Sequence, residues 1–195
     1  RPASGMLISL AGQSEEGWRQ NADYLLGNGV FRGWRSVGAG RLEGGLYVYG
    51  SDWNSPGFVS VDRYNQGDLE AATDTTDGGD GQRYIGTLRY GLPLGPKTTL
   101  DAQLWGQLAQ STVFLTLPED DVLRQTAERD DREALGFQAL LNRATDDGEF
   151  SLGASGRAEW TSYTLDETVQ RESVSAEQAD EGRYDPRLNE RCADH

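Results

Sequence analysis

The sequence predicts an all-β fold: an antiparallel transmembrane β-barrel segment of about seven up-and-down strands, with short turns at one end and long polar loops at the other. Three observations predict it. Apolar and polar residues alternate with period two over several segments. The links between those segments alternate short and long. No apolar run approaches the roughly 20 residues that a spanning helix needs.

Met6 to Gly12 is a short apolar segment that begins the series. Tyr24 to Ser36 follows, with neither parity uniform because Asn28, Arg32 and Arg35 interrupt it. In Arg41 to Tyr49 the residues Leu42, Gly44, Leu46 and Val48 share one face, against Arg41 and Glu43. In Gln82 to Tyr90, Tyr84, Gly86, Leu88 and Tyr90 oppose Arg83, Thr87 and Arg89. Thr98 to Leu117 sets Leu100, Ala102, Leu104, Gly106 and Leu108 against Asp101, Gln103, Trp105 and Gln107. The apolar parity slips near Ser111 and Thr112, where a β-bulge or the strand leaving a bilayer would account for it. Leu135, Phe137, Ala139 and Leu141 form one face of the next strand. In Phe150 to Ser162 the residues Phe150, Leu152, Ala154, Gly156, Ala158 and Trp160 alternate with Ser151, Ser155, Arg157, Glu159 and Thr161. A helix would mix those two sets.

The short links are Val37-Gly-Ala-Gly, Gly91 to Lys97, and Thr145 to Glu149, whose Asp-Gly pair is a hairpin signal. The long ones are Gln13 to Asp23, Ser51 to Gly81, Pro118 to Arg132, and everything after Tyr163. Outer-membrane barrels segregate connections in this way, with short turns on the periplasmic side and longer loops outside. Residues 1–164 are thus expected to be partial barrel and 165–195 a polar loop or disordered tail. Bacterial single-chain barrels use an even number of strands, at least about eight, so about seven strands imply a segment of a wider barrel.

The composition agrees. Hydrophobic residues make up 36% of the chain and the mean hydropathy is -0.67, low for a compact globule but ordinary where only every second strand residue is apolar. The five Trp and the sustained alternation separate the chain from polar disordered sequences. The net charge of -14 argues against nucleic acid as a partner, because phosphate binding needs clustered Lys and Arg. Cys192 is the single cysteine, which excludes an internal disulfide and a Cys-based zinc site. His195 is the only histidine and the last residue, so histidine-dependent catalysis is not expected, and no nucleophile–base pair stands out. The chain is read as non-enzymatic.

Three sets of residues are candidate sites. Trp53, Phe58, Arg63 and Tyr64 in the second long loop could contact an extracellular small-molecule ligand, since binding residues concentrate on loops held by a rigid scaffold; they could equally fold that loop on itself. Asp74, Asp77 and Asp80 beside Gly78, Gly79 and Gly81 could collect calcium, a hard cation that takes oxygen ligands. Such charge runs are usually solvated, which is the plainer reading of this one, and no other cofactor is expected. Tyr84, Tyr90 and Trp160 sit near strand ends, where interfacial girdle aromatics belong, and read equally as ordinary sheet aromatics.

Several loop and strand texts resemble the barrel of a TonB-dependent outer-membrane receptor. Asp52-Trp-Asn-Ser-Pro-Gly-Phe58, followed by Tyr64-Asn-Gln-Gly-Asp68, resembles a receptor loop with an aromatic, Pro-Gly and a polar stretch. Gly78-Gly-Asp-Gly-Gln-Arg83 is similar to the Gly-rich entry to the family's next strand, and Glu128-Arg-Asp-Asp-Arg132 before Gly136 and Phe137 to a charged loop end. Gly17-Trp-Arg-Gln-Asn21 resembles its Trp-bearing loops. The resemblance covers most of Gly5 to Thr164. It implies a barrel of about 22 strands with a plugged lumen. It also implies location in the bacterial outer membrane among lipid and lipopolysaccharide, and uptake of a scarce ligand such as a metal-siderophore complex or cobalamin. Coupling to the TonB system would run through a plug domain that is absent from this sequence. A porin-like channel, an autotransporter translocator or a soluble β-sheet ligand-binding protein are the alternative readings. The ligand itself is not legible; the acidic loops disfavour an anion unless divalent ions offset their charge.

Overall fold

A computed structural model describes residues 3–119 and 122–173. One antiparallel sheet, in the order of the chain, contains every described strand. The strands are β1 (Ser4–Glu15), β2 (Tyr24–Val37), β3 (Gly40–Asn54), β4 (Gly78–Gly95), β5 (Thr98–Glu119), β6 (Val122–Ala144), β7 (Glu149–Val169) and the two-residue β8 (Glu172–Ser173). A six-residue helix, α1 (Val61–Gln66), interrupts the β3–β4 loop. It starts at Ser60, whose hydroxyl accepts the Arg63 N–H, and stops at Gly67 in the left-handed region (φ 79).

Because neighbours in sequence are neighbours in space, the connections fall at two ends. Residues 38–39, 96–97 and 145–148 join strands at one end, and 16–23 and 55–77 at the other. The turn after Val37 is as tight as its composition predicts: Val37 pairs with Gly40, and Gly38 takes φ 58, which the primed hairpin turns require. The Gly91–Lys97 link is shorter than expected. β4 continues to Gly95, and an irregularity between Pro93 and Gly95 absorbs the residue that would break the ladder.

The expected loop Pro118–Arg132 is corrected: its described residues, 118–119 and 122–132, are strand, divided between the ends of β5 and β6. Charged residues occupy both faces there, so no apolar stripe marks the pairing, yet the amides pair without a break from Thr98↔Arg143 upward. Cross-strand ion pairs support this part, with Arg124 to Glu167 at 3.0 Å and Arg129 to Asp166 at 2.6 Å. No bulge lies at Ser111 or Thr112. β7 likewise runs past the expected boundary at 164, to Val169, and turns through Gln170 and Arg171 (φ 49 and 68) into β8. The rest of the expected tail, with Cys192 and His195, lies outside the described residues.

The unbroken register keeps parity aligned across seven long strands. Leu10 lies level with Gly29, Val48, Tyr84, Leu108, Glu133 and Trp160. On this face Met6, Ile8, Phe31, Leu46, Leu88, Leu104, Leu135, Phe137 and Leu152 are all exposed, Leu104 by 56% and Leu135 by 59%. The opposite face carries Arg32, Glu43, Arg89, Asp101, Gln103 and Arg157 among its polar residues. Buried side chains are few: Ala134 lies on the polar face in mid-sheet, whereas Ala71, Ala72, Asp74, Asp77, Thr116, Gln125, Ala127 and Thr168 cluster where the β3–β4 loop covers the upper strands.

Aromatic rings on glycines fix the pairing locally. The indole of Trp105 lies over Gly136, directly opposite in register, and the Trp34 indole lies over Gly5. A Cβ on Gly136 would collide with the Trp105 ring. Gly136→Val is therefore expected to destabilise the sheet by about 1–3 kcal/mol. Denaturant unfolding followed by tryptophan fluorescence measures this, with Gly50→Ala, where a Cβ meets open space, as the near-neutral control.

Candidate functional site

Two surfaces can bind: the polar face of the sheet, and the loops above it. On the polar face, between the levels of Arg41 and Ser51, the charges are Arg32, Arg41, Arg83, Arg89, Arg132 and Arg157 against Glu43, Asp101, Asp130 and Glu159. Most are paired along this face. Arg41 meets Glu43 at 2.7 Å, and Arg32 approaches the same carboxylate at 3.7 Å. Arg89 meets Asp101 at 2.7 Å, while Arg157 pairs with Glu159 and Arg132 with Asp130. Two guanidiniums also stack on indoles, Arg41 at 5.2 Å from the Trp34 ring and Arg157 at 5.7 Å from that of Trp105.

The β3–β4 loop is pinned at both sides. On one side Arg19 donates to the carbonyls of Pro56, Gly57 and Ala71, and the Asn21 amide donates to those of Ser55, Asp74 and Asp77. These bonds tie the loop to the β1–β2 connection. On the other side the loop docks on β5, β6 and β7 through Asp77. Its carboxylate accepts the Thr116 N–H (3.0 Å), the Thr116 hydroxyl (2.7 Å) and the Gln125 amide (3.0 Å). Gln125 in turn accepts from the Thr168 hydroxyl and the Arg171 N–H. Thr116, Gln125 and Thr168 share the parity of Leu108, Leu135 and Trp160, so the loop lies over the continuation of the apolar face.

Burial raises the Asp77 carboxyl above its ordinary value, opposed by the bonds from Gln125 and Thr116 and reinforced by the neighbouring Asp74.

The structure brings Asp74 and Asp77 together: both accept the Thr116 hydroxyl, and Asp74 also accepts the N–H and hydroxyl of Thr76. Asp80 stands apart in β4, paired in register with Asp52 and Thr112. Among the described residues no group of three or more His, Cys, Asp or Glu side chains is placed to hold a metal ion.

The four loop candidates divide as well. Trp53 belongs to β3, half-buried, with its indole against Gly79 on the polar-face parity. Arg63 sits in α1 and pairs with Asp68 at 3.6 Å. Phe58 and Tyr64 are exposed on the loop, Tyr64 by 66%, as is Val61. Tyr84, Tyr90 and Trp160 all lie on the apolar face, Tyr84 and Trp160 at the same level near its upper limit and Tyr90 near its lower one. Tyr90 also donates to the Val37 carbonyl at 3.0 Å, which ties the adjacent hairpin. Sequence reasoning missed Thr116, Gln125, Thr168, Arg19 and Asn21; none has a local pattern that marks it.

The fold matches a solved structure of ferric citrate transporter FecA in the unliganded form, with a TM-score of 0.76 over 89% of this chain and 16% sequence identity. The chain spans 27% of that transporter's chain. The likeness shows the fold: seven antiparallel up-and-down strands forming a segment of a β-barrel. No family model matches the chain, and no curated protein sequence does.

Asp77→Ala is expected to release the loop, since it strands the Thr116 N–H and the Gln125 amide at about 1–3 kcal/mol each. Faster proteolysis within residues 55–77, with the β-sheet circular dichroism unchanged, checks this. The pH dependence has a definite sign. A carboxyl raised by burial favours its protonated form in the docked loop, so its contribution is complete below the ordinary carboxylate value of 3.8 and is lost as pH rises through the raised value. Amide exchange at Thr116 is therefore expected to speed up on that rise beyond its intrinsic pH dependence, and the Asp77→Asn variant to lack the extra step.

Proposed function

We propose that this chain is part of the wall of a bacterial outer-membrane transport receptor of the TonB-dependent class. In this reading it takes up a scarce extracellular ligand, such as a metal-siderophore complex, by energy-dependent passage. The observation that carries the proposal is the apolar face, exposed and continuous in register across all seven long strands. Water-soluble proteins rarely leave apolar patches beyond a few hundred Å² uncovered; a bilayer removes the conflict. The dimensions fit. From Phe150 to Trp160 the strand rises about 33 Å, which at a tilt of about 40° projects to about 25 Å, the height of the apolar band in such barrels. Above Leu108 the same face turns to Gln110 and Thr112, which accords with β5 leaving the bilayer there.

The apolar face meets lipid, and Tyr84, Trp160 and Tyr90 lie at its two interfaces. The polar face lines the lumen. The loops 16–23 and 55–77 lie outside, close to lipopolysaccharide, and the turns at Val37, Pro96 and Thr145 are periplasmic. The name of the ferric citrate transporter accords with a transport role. Coupling to TonB would come through a plug domain elsewhere in the assembled receptor, and the chain's own part is structural and ligand-guiding instead of enzymatic.

Leu104→Arg places a charge toward mid-bilayer lipid and is expected to cost about 2–4 kcal/mol. Gln107→Arg, on the polar face, is expected to be near neutral. Folding titrations in lipid vesicles separate the two, and equal effects would overturn the assignment of faces. Uptake of the physiological ligand is expected to stop in cells lacking TonB. Uptake that continues would favour a porin-like channel, and a protein that remains soluble without detergent would end the membrane reading.

A further inference from the structure

The chain is acidic overall, yet its polar face at the level of the apolar band carries more arginine than carboxylate. The excess has a location. Arg32 and Arg41 share the single carboxylate of Glu43. Arg83 is exposed, and among the described residues it has neither a hydrogen bond nor an ion pair. Its register neighbours are Tyr49 and Ala109. The cations also descend the face: Arg83 and the Asp130-paired Arg132 at one level, Arg32 and Arg157 four residues lower, then Arg89, then Arg41.

We propose that this face is a binding stripe for an anionic small molecule carrying carboxylate or phosphate groups, with Arg83 as its upper contact and Arg32 the next. The proposal rests on the polar face lining a lumen. A guanidinium presents a planar fork that matches both groups bidentately and keeps its charge at any physiological pH. Arg and Lys lining is what selects anions in pores, and a wall of one sign concentrates counter-charged solute within it. The spread of the arginines over four levels suits a solute handed downward, whereas one tight site would gather them all at one level. The acid that gives the chain its negative charge is placed elsewhere: Asp52, Asp80, Asp131 and Glu133 stand on the opposite face.

The test uses the intact protein extracted in detergent, with the trisulfonated dye pyranine as the anionic probe and hexaamminecobalt(III) as the cationic one. Pyranine is expected to bind in a salt-dependent way, and Arg83→Gln and Arg32→Gln are each expected to weaken it about 5- to 10-fold. Hexaamminecobalt(III) is expected not to bind the stripe. Arg129→Gln, on the opposite face, is expected to leave dye binding unchanged. Dye affinity that is the same in wild type and Arg83→Gln overturns the proposal. So does complete exclusion of the dye from the wild type, since a face covered by a protein surface would exclude it. Either result in a protein that still requires detergent refutes the anion stripe alone, whereas a protein that needs no detergent refutes the barrel reading beneath it.

Discussion

Every other property of this structure depends on an unbroken antiparallel ladder. Side chains alternate with a period of two along a strand, so a one-residue slip in any pairing would move that strand's leucines onto the arginine face. Among the described residues of β1 to β7 the only irregularity lies between Pro93 and Gly95, in the last residues of β4, below the levels that matter. Parity is therefore common to seven strands, and local alternation becomes a two-sided wall. Rings seated on glycines hold the register where backbone pairing alone could slide. Trp105 on Gly136 and Trp34 on Gly5 each need the opposite position to lack a side chain, so each admits one alignment.

The same parity places the loops. Thr116, Gln125 and Thr168 are of apolar-face parity but lie beyond the apolar band, and there the sheet offers hydrogen-bonding groups in place of leucines. Asp77 of the β3–β4 loop satisfies Thr116 and Gln125, Gln125 accepts from Thr168, and the end of the loop with Ala71, Ala72, Asp74 and Asp77 is buried in the process. A buried carboxylate with several donors is held in one geometry, because leaving any donor unpaired is costly. Arg19 and Asn21 apply the same logic to loop carbonyls from the side of β1 and β2. Loop and strands thus form one hydrogen-bonded rim in which the buried apolar side chains are the alanines Ala71, Ala72 and Ala127. Asp77 docks that rim on the apolar-face side of the wall, whereas Trp53 belongs to β3 on the polar-face parity.

Sequence alone was informative where one face had to be apolar and silent where neither did. Phe150 to Ser162 is legible because Leu152 and Trp160 alternate with Arg157 and Glu159. The upper part of β6 is not, because Arg129 and Asp131 share one face while Glu128, Asp130 and Arg132 share the other; the run has the composition of a loop and the hydrogen bonding of a strand. β2 was ambiguous for a related reason. Gly27, Gly29 and Gly33 fall on its apolar face and Leu26, Val30 and Trp34 on its polar one, so hydropathy does not separate them. Asp74 and Asp77 show a different limit. Their spacing beside glycines suits a cation-binding loop or a solvated one, and only the placement of Thr116, 39 residues beyond Asp77, shows that backbone and hydroxyl groups occupy them.

Net charge shows how far an average can mislead about a surface. A value of -14 for the chain suggests that anions would be repelled. At about 8 Å screening length in physiological salt, however, a solute moving along the polar face responds to Arg83 and Arg32 more than to carboxylates on the far side of the sheet. Every cation on that face is arginine, although lysine would supply the same charge. Two of the arginines lie against indoles while pairing with carboxylates, a combination that a planar guanidinium makes and a strongly hydrated ammonium does not. Held in this way, Arg41 and Arg157 are fixed parts of the wall. Arg83, beside Tyr49 and without a carboxylate, keeps its donors for whatever approaches the face.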